Sequence, residues 1–306
     1  MSIQTLSIVV GTKACNASCP FCVSKQTGFE HMGRGKDRDI NYHNLETTCA
    51  MCGTGTPTTL LMTGKGEPTL YPNEITSYLE FFRGRPFAPI ELQTNGLAFG
   101  RLARDGESGV AGLDSMTLDT WRALGLNTIA LSVVGIRNEA NARIYHPDYP
   151  DLATTVAYLR GFGYTIRFCV MMMHGDGCVR TPEDIEEALA FCRRHDIGQL
   201  TVRPIRSAQA PKNKRAAQFA RDYGISDPNC ELIYEYVESH ATKLRNLMHG
   251  ATVFDFDGQN ICVSDCLTVN STGDGEDIRT LIFFSDGDLV YDWQYRGALL
   301  LQGWRK

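Results

Sequence analysis

Apolar residues fall in short β-rich runs along the chain, each followed by a segment long enough to hold a helix. The runs lie at Thr5–Val10, Thr59–Thr63, Ile90–Thr94, Thr128–Val134, Tyr164–Met171 and Gln199–Ile205. Strands alternating with helical segments predict βα units and a parallel sheet. The segment between the last two runs has clear helical punctuation. Thr181-Pro182-Glu183-Asp184 supplies an N-cap, a first-turn proline and early acids, and Ile185, Ala188, Leu189 and Cys192 share one face. Arg193, Arg194 and His195 suit the negative end of its dipole. The predicted class is α/β, a partial (β/α)6 TIM-type barrel, since six units close only part of a barrel.

Beyond residue 205 the pattern changes. Ser207 to Arg215 is a polar, basic connector, and a helix is predicted from Pro228 to Met248 with Asp227 as N-cap and Leu232, Ile233, Tyr236, Val237, Leu244 and Leu247 in a stripe. Thr252–Phe256 and Ile261–Ser264 read as strands, and Leu281–Phe284 with Leu289–Tyr291 as a hairpin around Asp286-Gly287. Two parts are therefore expected: residues 1–205 as the partial barrel, and 206–306 as an extension of connector, C-terminal helix and small β-rich cap.

Composition narrows the function. The 306 residues carry 30 Lys+Arg against 35 Asp+Glu, a formal net charge of -5, so no overall basic field gathers nucleic acid. No apolar run approaches ~18 residues and no signal-peptide pattern opens the chain, so the expectation is a cytoplasmic protein without a membrane partner. The 11 cysteines then suggest reduced thiols and metal ligation rather than a disulfide framework.

Three of them stand in Cys15-Asn16-Ala17-Ser18-Cys19-Pro20-Phe21-Cys22, directly after the first apolar run. Three thiolates can hold three irons of a [4Fe–4S] cube and leave the fourth iron open for chemistry. A zinc knuckle or a group of buried structural thiols are the alternatives at this point. Candidate ligand positions also gather at predicted strand ends, where parallel α/β barrels place their function. Thr63-Gly64-Lys65-Gly66-Glu67-Pro68-Thr69 offers glycines for close backbone approach and a carboxylate for an ammonium, Gln93-Thr94-Asn95-Gly96 ends the third run in polar groups, and Ser132 is a hydroxyl in an apolar strand. Arg167 and Arg203 stand on the fifth and sixth strands, where a guanidinium suits a carboxylate.

The cysteine triplet with Phe21 before its third member resembles the radical S-adenosylmethionine (SAM) superfamily. The resemblance implies one [4Fe–4S] cluster on Cys15, Cys19 and Cys22, and SAM bound to the open iron. It also implies an oxygen-sensitive enzyme that reductively cleaves SAM to a 5′-deoxyadenosyl radical and abstracts a hydrogen atom from a small-molecule or peptide substrate. Epimerisation, dehydrogenation, cyclisation and crosslinking are the outcomes considered, with flavodoxin or ferredoxin as electron donor. Gly64, Gly66, Glu67 and Pro68 match the family's motif for the SAM amine, although Lys65 separates its glycines. Thr94, Asn95 and Ser132 match further SAM contacts, and Arg167 would meet the SAM carboxylate. The extension resembles a short SPASM or twitch region without a full ligand set for an auxiliary cluster, and Cys262 and Cys266 are read instead as candidate hydrogen-atom donors. A non-catalytic Fe–S or zinc-binding regulatory or scaffold protein is the alternative from another class, and an RNA- or nucleotide-modifying member of the family a lesser one.

Overall fold

The computed structural model describes residues 3–28, 39–52, 58–247, 250–264, 278–295 and 297–304. The six predicted runs are strands β1 (Ile3–Val9), β2 (Thr58–Thr63), β3 (Phe87–Thr94), β4 (Thr128–Val133), β5 (Thr165–Met172) and β6 (Gln199–Pro204). They lie side by side in chain order, all parallel. Helices cover one face of the arc they form. Between β5 and β6 the helix Pro182–Arg194 begins in a capping box, Thr181 accepting from the Asp184 amide and Asp184 from that of Thr181. Its Ile185, Ala188, Leu189 and Cys192 are buried.

The strands of the extension are β7 (Thr242–Asn246), β8 (Thr252–Phe256), β9 (Gln259–Val263), β10 (Ile278–Phe284), β11 (Leu289–Val290) and β12 (Leu299–Leu301). They join the barrel sheet at both of its ends. β9 pairs parallel with β6, and β8 and β7 follow antiparallel. On the other side β10 pairs parallel with β1, followed antiparallel by β11 and β12. The order is β12-β11-β10-β1-β2-β3-β4-β5-β6-β9-β8-β7, so the sheet is an open arc with β12 and β7 at its edges.

One expectation fails here. The C-terminal helix is Asp227–His240, capped by Ser226, and the chain then turns into β7. Leu244 is exposed, so the helical spacing it shares with Leu232 is incidental; Lys243 and Arg245 mark β7 as a solvated edge strand.

Strand alternation gives the sheet two unlike faces. Leu6, Ile8, Leu60, Met62, Leu92, Ile129, Leu131, Phe168, Val170, Leu200 and Val202 point toward the helices and form the main core. The inward rows carry Ser7, Thr63, Glu91, Gln93, Ser132, Arg167, Cys169, Thr201 and Arg203, interspersed with Leu61, Ala130 and Met171. A wall this polar on a face enclosed by the arc is suited to a ligand rather than to packing. Beside it, Val9, Ile282, Phe284 and Val290 form a small second core against Trp293.

Candidate active site

The cysteine loop leaves the end of β1 and finishes in the helix Val23–Thr27, with Cys22 at its N-cap. Cys15 is exposed, and Cys19 and Cys22 are half-buried. Three neighbours hold the loop. Gly66 lies so close that a Cβ there would stand 2.0 Å from the Ala14 carbonyl oxygen and 2.5 Å from that of Thr12. The next amide, Glu67 N, donates to Ala14 O at 3.0 Å. On the far side Ser18 N donates 2.8 Å to Tyr145 O. Asn95 Nδ2 donates 2.8 Å to Asn16 Oδ1 and lies 3.8 Å from Cys15 Sγ.

Glu67 is buried and ties two strand ends together. Its Oε1 accepts from Thr69 N (3.1 Å), Thr69 Oγ1 (2.7 Å) and Thr94 Oγ1 (2.6 Å), while Oε2 accepts only from Asn95 N (3.0 Å). A carboxylate oxygen has two lone pairs, so Oε2 retains accepting capacity. Burial pushes the Glu67 carboxyl up, against the pull of these hydrogen bonds. Pro68 opens a short 3-10 turn, and Gly96 takes a left-handed φ of 79° at the start of the helix Leu97–Asp105. Gly64 sits in the same crowded turn, where a Cβ would meet Gly66 O at 3.0 Å and Val10 O at 3.1 Å.

Although Cys15 is exposed as a residue, protein atoms crowding its sulfur push the thiol up to about 11, with Glu67 and Cys22 adding to it and bonds from Ala17 and Asn95 opposing. Burial and the two neighbouring thiols push Cys19 higher still. A bare thiolate is thus disfavoured at Cys15 and at Cys19, and a bound cation is what would reverse that. Among the described residues no three Cys, His, Asp or Glu side chains stand at single-ion spacing. Three soft donors on one clasped loop fit an iron–sulfur cube, which takes one thiolate at each of three corners.

Not every predicted residue joins this group. Phe21 has its ring centroid 6.4 Å from that of Phe219, in the helix Lys214–Tyr223, and its carbonyl accepts from Gln26 Nε2. Ser132 faces inward on β4, beside Cys169 of β5. Arg167 is bonded to Glu91 of β3, and its Nε is buried with no hydrogen-bond partner. Cys262 lies inward on β9, in register with Thr201 and close enough to Arg167 to act on it electrostatically. Cys266 lies outside the described residues.

Other residues at the site carry no motif. Gln26 is buried and binds the connector: its Oε1 accepts from Ala208 N, and its carbonyl accepts from Lys212 N. Lys65, read only as an interruption of the glycine motif, is buried with Nζ 2.9 Å from Thr27 Oγ1 and 5.1 Å from the Trp293 ring centroid. Tyr145 and Glu91 stand in segments whose local pattern marks neither. Their signal lies only in contacts with residues far along the chain.

A family model described as the Radical SAM superfamily matches residues 9–192. Among solved structures, SuiB of Streptococcus suis bound to the precursor peptide SuiA aligns with a TM-score of 0.58 at 15% identity, over 99% of this chain and 63% of SuiB. SuiB bound to S-adenosylmethionine gives 0.58 at 14%, over 95% and 60%. Native anSMEcpe with bound AdoMet gives 0.55 at 12%, over 96% of this chain and 75% of that one. At such identities the likeness is one of fold. The chain spans less than two thirds of the length of SuiB, and no curated protein matches it.

Proposed function

The chain belongs to the radical SAM superfamily, and we propose that it abstracts a hydrogen atom from a peptide or small molecule held against the inner face of its sheet. As a radical SAM enzyme it uses a [4Fe–4S] cluster and SAM. When bound, the cluster would pass one electron from an external reductant to the sulfonium of SAM, whose S–C5′ bond would break to give methionine and a 5′-deoxyadenosyl radical. The protein's own work is placement and exclusion of water.

Cys15, Cys19 and Cys22 would hold the three cysteine-ligated irons. The observation that carries this assignment is the fit of Gly66 against Ala14, which presses the predicted amine-binding turn onto the predicted cluster loop. Glu67 braces that turn through Oε1 and keeps Oε2 available to the SAM ammonium, with carbonyls of the turn as further acceptors. Thr94 and Asn95 fix Glu67, and Asn95 also turns its amide toward Cys15. Ser132 offers a hydroxyl from β4 to the ribose. Arg167, engaged by Glu91, belongs on this reading to the charged framework of the wall. On this reading Cys262, inward on β9, would give its S–H hydrogen to a substrate radical.

The peptide half of the substrate class draws support from SuiB, whose structure holds a precursor peptide. The test is anaerobic reconstitution followed by dithionite and SAM. Release of 5′-deoxyadenosine that disappears in a Cys15/Cys19/Cys22→Ala variant supports the enzyme, and no release under any reductant would sink it. Deuterium passed from a labelled substrate into 5′-deoxyadenosine would identify the position attacked.

A further inference from the structure

The inward positions of β1 to β6 carry one carboxylate, Glu91, and two guanidinium groups, Arg167 and Arg203. Glu91 is bonded to Arg167. Arg203 makes no close ion pair or hydrogen bond among the described residues, Glu91 acts on it only electrostatically, and its Nε is buried without a partner. A second orphan lies nearby. Tyr145 is 3% exposed, and its hydroxyl also has no partner. Its backbone carbonyl holds Ser18 of the cluster loop, so the ring starts from beside Cys19. Cys19, Arg203 and Cys169 all act electrostatically on its phenol, which puts that hydroxyl between the loop and the inner wall at β5 and β6.

Buried polar groups in folded proteins are nearly always bonded, and the orphaned donors Arg203 Nε and Tyr145 Oη, beside a guanidinium that shares Glu91 with Arg167, would be satisfied by an anionic acceptor. We propose that Arg203 and Tyr145 form a binding site for a carboxylate of the molecule being modified. A guanidinium edge and a phenol O–H together present donors to both oxygens of a planar acid group. In a peptide this is an Asp or Glu side chain or the C-terminus; in a small molecule, a carboxylic acid.

The SAM carboxylate is the competing source of the same chemistry. Its amine and carboxylate hang from one carbon, and the proposed amine partners stand at the end of β2. Arg203 is on β6, four strands along the arc from that turn. Competition by an analogue of SAM tells the two sources apart. The inference rests on the function proposed above, since it needs a substrate beside the cluster loop.

The probe is carboxyl-13C acetate added to the cluster-loaded protein, reduced and free of SAM. A reduced cluster is paramagnetic and accelerates the relaxation of a ligand held near Cys19. Saturable acceleration is expected in the wild type, with binding about tenfold weaker in Arg203→Met, as loss of a charged hydrogen-bond donor implies. Tyr145→Phe should also weaken it, and Arg203→Lys, which keeps the charge without the fork, should fall between. Iron content per chain guards each variant against misfolding. Absence of saturable acceleration in the wild type, or equal binding by all four proteins, overturns the proposal. Displacement of acetate by S-adenosylhomocysteine, which keeps the amine and carboxylate of SAM but has no sulfonium to reduce, also overturns it, by assigning the site to SAM itself. Because the cluster serves here only as a paramagnetic label, failure of SAM cleavage would refute the proposed function without being mistaken for a failure of this site.

Discussion

Alanine at position 66 would place a methyl carbon 2.0 Å from Ala14 O, 2.5 Å from Thr12 O and 2.8 Å from the Ala14 carbonyl carbon. Ordinary contact starts at 3.4 Å, so the turn and the cluster loop must part by about 1.4 Å (3.4 − 2.0). All three obstacles are backbone atoms, so no side-chain rotation relieves the clash. Overpacking of this kind costs about 1–3 kcal/mol. The separation also breaks the 3.0 Å bond from Glu67 N to Ala14 O, worth about 0.5–1.5 kcal/mol. Gly66→Ala should therefore lose about 2–4 kcal/mol in anaerobic urea unfolding of the metal-free protein, and should hold less iron after reconstitution. Gly161→Ala is the control: a Cβ there meets nothing within 4 Å, and the helix Leu152–Gly161 should be unchanged or up to about 1 kcal/mol more stable. If Gly66→Ala stays within about 0.5 kcal/mol of the wild type and loads iron fully, the clasp between turn and loop is not what holds the cluster site.

Asn95→Ala removes an amide donor 3.8 Å from Cys15 Sγ; the cluster potential should fall, read by redox titration monitored by electron paramagnetic resonance, because hydrogen bonds to the sulfurs raise it. Glu91→Ala leaves Arg167 charged in the wall without its partner, and should cost about 3 kcal/mol in urea unfolding. Burial pushes the Cys192 thiol up to about 12 from an ordinary 9.0. Between those values the unfolded chain binds fewer protons than the folded one, so the stability this thiol contributes is complete below about 9 and is lost as pH rises toward about 12. Cys192→Ala should flatten that alkaline slope in thermal melts, and an unchanged slope would refute the assignment.

The six central strands were legible because each is a local signal, a short apolar run with a helix after it. The cysteine triplet and Gly66-Glu67-Pro68 were legible for the same reason. What escaped is carried by distant partners. β10 reads as half of a hairpin, yet its strongest pairing is with β1, and nothing within ten residues of Ile278 announces it. Glu91, 76 positions away from Arg167, gave no sign of reaching it. Lys65 broke a glycine motif in the sequence; in space it links the helix after Cys22 to Trp293. β7 misled because an edge strand with every residue exposed has no buried alternation to declare it, and two leucines at helical spacing were enough to suggest a helix.

The pairing of β1 with β10 sets a timetable for assembly. β1 leads into the cysteine loop, but its second neighbour is made some 270 residues later, in the register Ile3 to Ile278 through Val9 to Phe284. At ribosomal speeds of about 5–20 residues per second that interval is roughly 15–55 s. Until then the strand that anchors the loop is itself an edge, and contacts of such long sequence separation form late. Iron and sulfide delivered to the nascent chain would therefore meet a loop that is clasped by Gly66 but hangs from an unfinished strand. The cysteine loop is anchored from both sides of β1 only once the chain through Phe284 has emerged.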